Sequence, residues 1–158
     1  MLPAEIYAPD FELYGTPTQK VKLADLGNRK VILAFYLADW NPVCSEQLAL
    51  YNRMENYFHR HNAQLIGISV DSQWSHKAFS EQHHFHFPLL ADFEPKGEIA
   101  RLYEVYNEKT EQCHRGLYVI DEVGVIRWSY RSLAEIYPGP EILLNALELL
   151  NKSRAVRS

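Results

Sequence analysis

The 158-residue chain is 47% hydrophobic with a formal net charge of −4, long enough to bury one sizeable core, and is read as a single domain over 1–158. Charges of both signs are interspersed and the pI is near 6.0, which argues against a basic surface for nucleic acid or an anionic membrane. The first segment, MLPAEIYAPDFELYG, has acidic residues and no apolar run of signal-peptide length, and no run approaches a membrane span, so a cytoplasmic protein is expected.

In chain order, DFELYGTPTQKVKL (10–23) alternates in part around a Gly-Thr-Pro turn and predicts an N-terminal hairpin. VILAFYL (31–37) is a continuous β-branched and aromatic run, the pattern of a strand buried on both faces. From Pro42 to about His61, apolar residues recur at Leu48, Tyr51, Met54 or Glu55 and Phe58, which is helical spacing with one imperfect step. QLIGISV reads as a second buried strand, SQWSHKAFSEQH as a helix, FPLLAD as a short strand and KGEIARLYEVY as a helix. RGLYVID and GVIRWSY, joined by Glu122 and Val123 beside Gly124, predict a β-hairpin. GPEILLNALELLNK closes the order as a helix with Pro140 near its start. This order predicts an α/β domain whose mixed central sheet is flanked by helices, with the first two long strands parallel. Reactive groups in such sheets gather at the carboxyl ends of the strands, where Cys44 lies.

Cys44 and Cys113 are too few and too far apart for a disulfide framework, so each belongs either to the core or to chemistry. In NPVC, Asn41 suits the N-cap, Pro42 the first helical position and Cys44 the third. Free N–H groups and the positive end of the helix dipole favour a thiolate there. A small buried hydrophobe facing the sheet suits the same position, and the residues alone leave both readings open. Ser45, Glu46 and Gln47 follow, so there is no C-x-x-C dithiol.

FYLADWNPVCSEQ, GISVDSQWSHKAF, FPLLADFEPKGEIARLYEVY and RGLYVIDEVGVIRWS, together with APDFEL before them and LLNALELL after them, resemble the peroxiredoxins of the alkyl hydroperoxide reductase and thiol-specific antioxidant type, over nearly the whole chain. The resemblance implies a thioredoxin-like fold, no cofactor, and Cys44 as the peroxidatic cysteine that attacks the peroxide O–O bond and becomes a sulfenic acid. The family motif is Pro-x-x-x-Thr/Ser-x-x-Cys, and this chain departs from it at Leu37 and Asn41. Asn41 can donate and accept hydrogen bonds and so can orient peroxide in place of the hydroxyl, whereas Leu37 supplies apolar cover only. Arg115 matches the arginine that stabilises the thiolate and polarises the peroxide. Pro42, Val43, Gln47 (where many relatives carry Glu) and Arg127 complete the implied substrate pocket, although a surface position suits Gln47, and an ordinary ion pair Arg127, equally well.

A sulfenic acid must return to thiol through a resolving cysteine or an external thiol. Cys113 is the internal candidate, two residues before Arg115 and on its face if the strand begins that early. The expected route is nevertheless a one-cysteine mechanism recycled by thioredoxin, glutaredoxin or a low-molecular-weight thiol, with Cys113 as packing. His83, His84 and His86 lack tetrahedral spacing, so no metal is expected. Trp40, Trp74 and Phe79 suit two readings equally, partial exposure at the site's mouth, where relatives form homodimers and larger oligomers, and ordinary core packing. The two motif departures keep a second reading open: a weakened relative acting as peroxide sensor, holdase or interaction module.

Overall fold

The apolar side chains of residues 31–35 are all buried, as a continuous apolar run requires when both faces of a strand are covered, and Lys30 before them is buried with its ammonium on the His61 carbonyl. The computed structural model describes residues 1–157. Its elements are β1 (Glu12–Tyr14), β2 (Lys20–Lys22), a 3₁₀ turn at Leu23–Leu26, β3 (Lys30–Phe35), α1 (Pro42–Arg53), α2 (Glu55–Arg60) and β4 (Ala63–Ser69). They continue as α3 (Gln73–His83), β5 (Leu89–Ala91), α4 (Glu98–Leu102), β6 (Tyr106–Asn107), β7 (Gln112–Cys113), β8 (Arg115–Ile120), β9 (Ile126–Ser132) and α5 (Pro140–Arg157).

Seven strands form one mixed sheet in the order β2-β1-β5-β4-β3-β8-β9. β3 and β4 are parallel, with Ile32 opposite Leu65, and β3 and β8 antiparallel, with Leu33 opposite Tyr118. The expected N-terminal hairpin is present as β1 and β2. Strand alternation sorts the core into two layers. Ile32, Ala34, Tyr36, Leu117 and Val119 pack with Cys44, Leu48 and Tyr51 of α1 and Leu143 and Leu147 of α5. Val31, Leu33, Phe35, Tyr118 and Ile120 pack on the other face with Tyr103, Val105 and Cys113.

Two helices differ from the sequence pattern. The imperfect step near Met54 is a break: Met54 leaves helical geometry (φ −96°, ψ 5°) and separates α1 from α2. The helix expected over 96–106 is only α4, because Glu104 turns left-handed at φ 58° and the reversal sends Val105 into the core beside Tyr103. The freed chain pairs as the β6–β7 ribbon, which the alternation did not reveal.

The β8–β9 turn is built on Asp121, whose Oδ1 accepts from the Val123 and Val125 N–H groups while Gly124 takes φ 88°. Burial pushes its carboxyl up, but the Val125 N–H, the Arg127 guanidinium and the Val123 N–H together hold it below the usual carboxylate range. A lowered folded-state value stabilises the fold above the unfolded-state pKa, and that contribution disappears as pH falls through the folded-state value. Asp121→Ala is therefore expected to cost about 1–2 kcal/mol at neutral pH, discounted for a turn partly open to solvent. Urea titrations check this: the gap from wild type should narrow in acid, and an equal gap at both pH values would contradict the account.

Candidate active site

α1 begins where the sequence places it. Asn41 Oδ1 accepts from the N–H of Val43 (2.9 Å) and of Cys44 (3.0 Å), and Pro42 needs no partner for the N–H it lacks. Such a cap is worth roughly 1 kcal/mol and fixes the turn that carries the sulfur. Asn41 therefore spends its carbonyl on the helix, leaving its amide N–H₂ as the end that remains for substrate. Pro42 is exposed, Val43 half-buried and Cys44 fully buried.

Arg115, the first residue of β8, reaches this turn from the sheet. It is 1% exposed, and its Nη1 donates to Cys44 Sγ at 3.3 Å and to Gln47 Oε1 at 2.6 Å, while Nη2 donates to the Ala134 carbonyl at 2.7 Å. Arginine only donates, so the Gln47 amide must turn its oxygen toward it. Gln47 Nε2 then donates to Tyr51 Oη (3.2 Å), which donates to the Pro138 carbonyl (2.7 Å). Burial pushes the Tyr51 phenol far up and keeps it a donor. Gln47 is thus wholly buried in the network rather than a surface residue. None of these three partners of Arg115 is a carboxylate, so the buried guanidinium keeps its charge for the sulfur.

Leu37 and Arg115 line a cavity of about 760 Å³ together with Tyr130, Leu133, Ala134 and Ile136. Arg127 does not join them. Of its two readings, pocket residue and ion-pair partner, the second holds: it lies at the turn end of the hairpin, with Nε on Asp121 Oδ2 (2.7 Å) and Nη1 on Glu5 Oε2 (2.6 Å). The arginine that does line the cavity is Arg131, four residues on and paired across the strands with Gly116; its Nη2 lies 3.2 Å from His114 Nδ1. Cys113 borders the same cavity and is itself buried as a packing residue. The strand is interrupted at His114, so alternation does not carry Cys113 to the face of Arg115, and it packs in the layer on the far side of the sheet. Burial, then Asp92, Asp71 and Cys44, push its thiol well up.

A second polar cluster, not legible in the sequence, holds the loop before Asn41. Asp39 is 6% exposed and accepts from Tyr36 Oη (2.6 Å) and Ser75 Oγ (2.8 Å), with His76 Nδ1 at 2.8 Å. Its own N–H donates to Asp71 Oδ2 at 2.9 Å. Trp40 is exposed and rests edge-on against Phe79 at 5.1 Å; Phe79 is fully buried and belongs to the core. His83 stacks on Phe85, His84 terminates α3 in a left-handed turn, and the His86 N–H donates to Asn52. Among the described residues, no group of three histidine, cysteine or carboxylate side chains is arranged to hold a metal ion.

Comparison with known proteins points to one family. The AhpC/TSA family profile matches residues 6–129. The chain is 33% identical over 130 residues to alkyl hydroperoxide reductase E of Mycobacterium tuberculosis, covering 82% of this chain and 85% of that protein. It is 32% identical over 157 residues to peroxiredoxin 2 of Picrophilus torridus, covering 96% and 74% respectively. The crystal structure of Enterococcus faecalis AhpC superposes with a TM-score of 0.90 over 100% of this chain and 98% of that one; at 24% identity it supports the thioredoxin-like fold alone. With a capped cysteine, a buried arginine on its sulfur and a family match over most of its length, the chain belongs to the AhpC/TSA family and is a thiol-dependent peroxidase of the peroxiredoxin type.

Proposed function

We propose that Cys44 is the nucleophile and passes through a sulfenic acid. Its thiolate attacks one oxygen of hydrogen peroxide or a small organic hydroperoxide, the O–O bond breaks, and the departing oxyanion takes a proton to leave as water or alcohol. The observation that carries this reading is the buried 3.3 Å contact from Arg115 Nη1 to Cys44 Sγ. A buried cation whose protein partners include no carboxylate favours an anion beside it, and the thiolate is that anion. Arg115 Nε has no protein partner although it is buried, which leaves one donor for a substrate oxygen. Asn41 orients the peroxide through its amide, and Leu37, at the wall of the cavity, covers the site.

The sulfenic acid is resolved by an external thiol. That thiol displaces hydroxide to form a mixed disulfide, and a second thiol releases Cys44 and leaves as a disulfide. Support comes from Cys113, whose burial on the other face and raised thiol make it a poor internal partner. Thioredoxin, glutaredoxin and low-molecular-weight thiols are the reductant classes, in a reducing, cytoplasmic setting that suits two free cysteines. Exposed Trp40, Trp74 and Phe93 support a homodimer or larger homo-oligomer.

The full burial of Cys44 favours one second reading, a slow peroxide sensor or holdase. The two separate on the rate of Cys44 oxidation by hydrogen peroxide at neutral pH, followed by tryptophan fluorescence and by mass spectrometry with a sulfenic-acid trap. A peroxidase should react far faster than a free thiol, with the adduct on Cys44. A free-thiol rate would overturn the proposal in favour of the sensor.

A further inference from the structure

The cluster around Asp39 has a use that the arrangement at Cys44 leaves unassigned. His76 Nε2 lies 3.0 Å from the Leu90 carbonyl, which can only accept, so Nε2 carries a hydrogen. Its Nδ1 lies 2.8 Å from Asp39 Oδ2, a contact that is attractive only with a proton between the two atoms. The titratable groups facing the pair are Tyr36, just after β3, whose Oη also lies 3.3 Å from His76 Nδ1, and Asp71 from the loop after β4. Burial and Asp39 push the Tyr36 phenol up, so it stays a donor, to Asp39 Oδ1. Asp71 is occupied by the Asp39 N–H and by Ser69 Oγ at 2.6 Å. With that proton in place both side chains, 2% and 6% exposed, have their hydrogen-bond partners. Without that proton, a carboxylate faces a ring lone pair at 2.8 Å.

This cluster lies directly behind the reactive turn. Asp39 is followed by Trp40, whose φ of 68° is a strained conformation for a bulky residue, and then by Asn41, which caps the turn bearing Cys44. Such a backbone persists only where its surroundings over-determine it, and Asp39 is fixed through its side chain to Tyr36, Ser75 and His76 and through its N–H to Asp71.

We propose that Asp39 and His76 are positioning residues for Cys44: one shared proton closes a clamp that holds residues 37–41, and so the first turn of α1, against Arg115, and loss of that proton with rising pH releases the turn. The inference rests on Cys44 as the reacting sulfur. Release has two opposite signatures, because the sulfur is now fully buried and aligned. Peroxide oxidation, which needs the alignment, slows; alkylation by iodoacetamide, which needs access, speeds up per thiolate.

The test compares wild type, His76→Leu and Asp39→Asn across pH 5.5 to 9. The amide introduced by Asp39→Asn can donate to a neutral His76 Nδ1, so this variant keeps the clamp without an ionisation. His76→Leu is expected to slow oxidation by about tenfold or more, in line with the cost of misplacing a reacting atom, and to speed alkylation by a similar factor. Wild type should show the same divergence at alkaline pH, and Asp39→Asn should not. Nitrogen NMR of the wild-type ring should find both His76 nitrogens protonated at neutral pH. A neutral ring there, or one shared alkylation profile for all three proteins, overturns the clamp. If His76→Leu does not fold, the comparison with Asp39→Asn decides. If wild-type Cys44 meets peroxide no faster than a free thiol, the peroxidase reading fails, while alkylation and NMR still decide the clamp.

Discussion

Cys44→Ser is expected to abolish peroxide consumption, and Cys113→Ser to leave the first oxidation unchanged. A serine hydroxyl in the first turn of α1 stays protonated, and nothing within the site is a base able to activate it: Arg115 is a cation, and Asn41 and Gln47 are amides. Turnover should therefore drop to the uncatalysed level, a loss of at least about 10³-fold on the scale seen when a nucleophile is removed. Cys113 is 1% exposed, on the other side of the sheet, with its thiol pushed up by burial first and by Asp92 next, so it holds little thiolate at neutral pH. Peroxide consumption with excess dithiothreitol reads the first effect. Intact mass after one equivalent of peroxide reads the second: wild type and Cys113→Ser should each gain one oxygen. Loss of two hydrogens from wild type alone would reveal a Cys44–Cys113 disulfide and overturn the one-cysteine route.

The parts of the fold that were legible in the sequence are those where a local pattern and a tertiary demand agree. VILAFYL and QLIGISV mark β3 and β4 because a strand covered on both faces leaves no polar alternation to confuse the reading. Asn41-Pro42 marks the start of α1 because capping is local chemistry, and it placed Cys44 at the end of a strand and in a first helical turn together. Where pattern and tertiary demand part, the pattern misleads. KGEIARLYEVY keeps apolar residues at helical spacing, yet Glu104 reverses the chain to bury Val105, and a break in the strand at His114 keeps Cys113 off the face of Arg115. Arg127 and Arg131 lie on the same strand, and what decides between them is that Asp121 and Glu5 capture the first at the turn. The Asp39 clamp joins residues 37 positions apart, so no spacing rule reaches it. Its only trace in the sequence is an acidic residue between an apolar strand and a helix cap, where nothing on the adjacent chain neutralises it.

Arg115→Met should produce the largest loss short of removing the sulfur, about 10² to 10³-fold in the rate of Cys44 oxidation, the usual cost of deleting one preorganised donor at a reacting centre. Methionine roughly fills the aliphatic part of the space but strands Cys44 Sγ, Gln47 Oε1 and the Ala134 carbonyl, all of which now take their hydrogen bonds from one guanidinium. Arg115→Lys should not restore the rate. An ammonium is a point charge without the planar fork that lets Nη1 face the sulfur and Gln47 while Nη2 holds Ala134, so recovery should remain incomplete by about tenfold or more. Gln47→Ala separates charge from orientation. It leaves the cation in place but removes the 2.6 Å acceptor that aims it, and the Tyr51 hydroxyl loses its donor, so the oxidation rate should fall less than in Arg115→Met. Stopped-flow oxidation of the three variants at one pH, with thermal melts to confirm folding, gives the ranking. If folded Arg115→Met oxidises within threefold of wild type, the guanidinium does not activate the sulfur, and the 3.3 Å contact is packing alone.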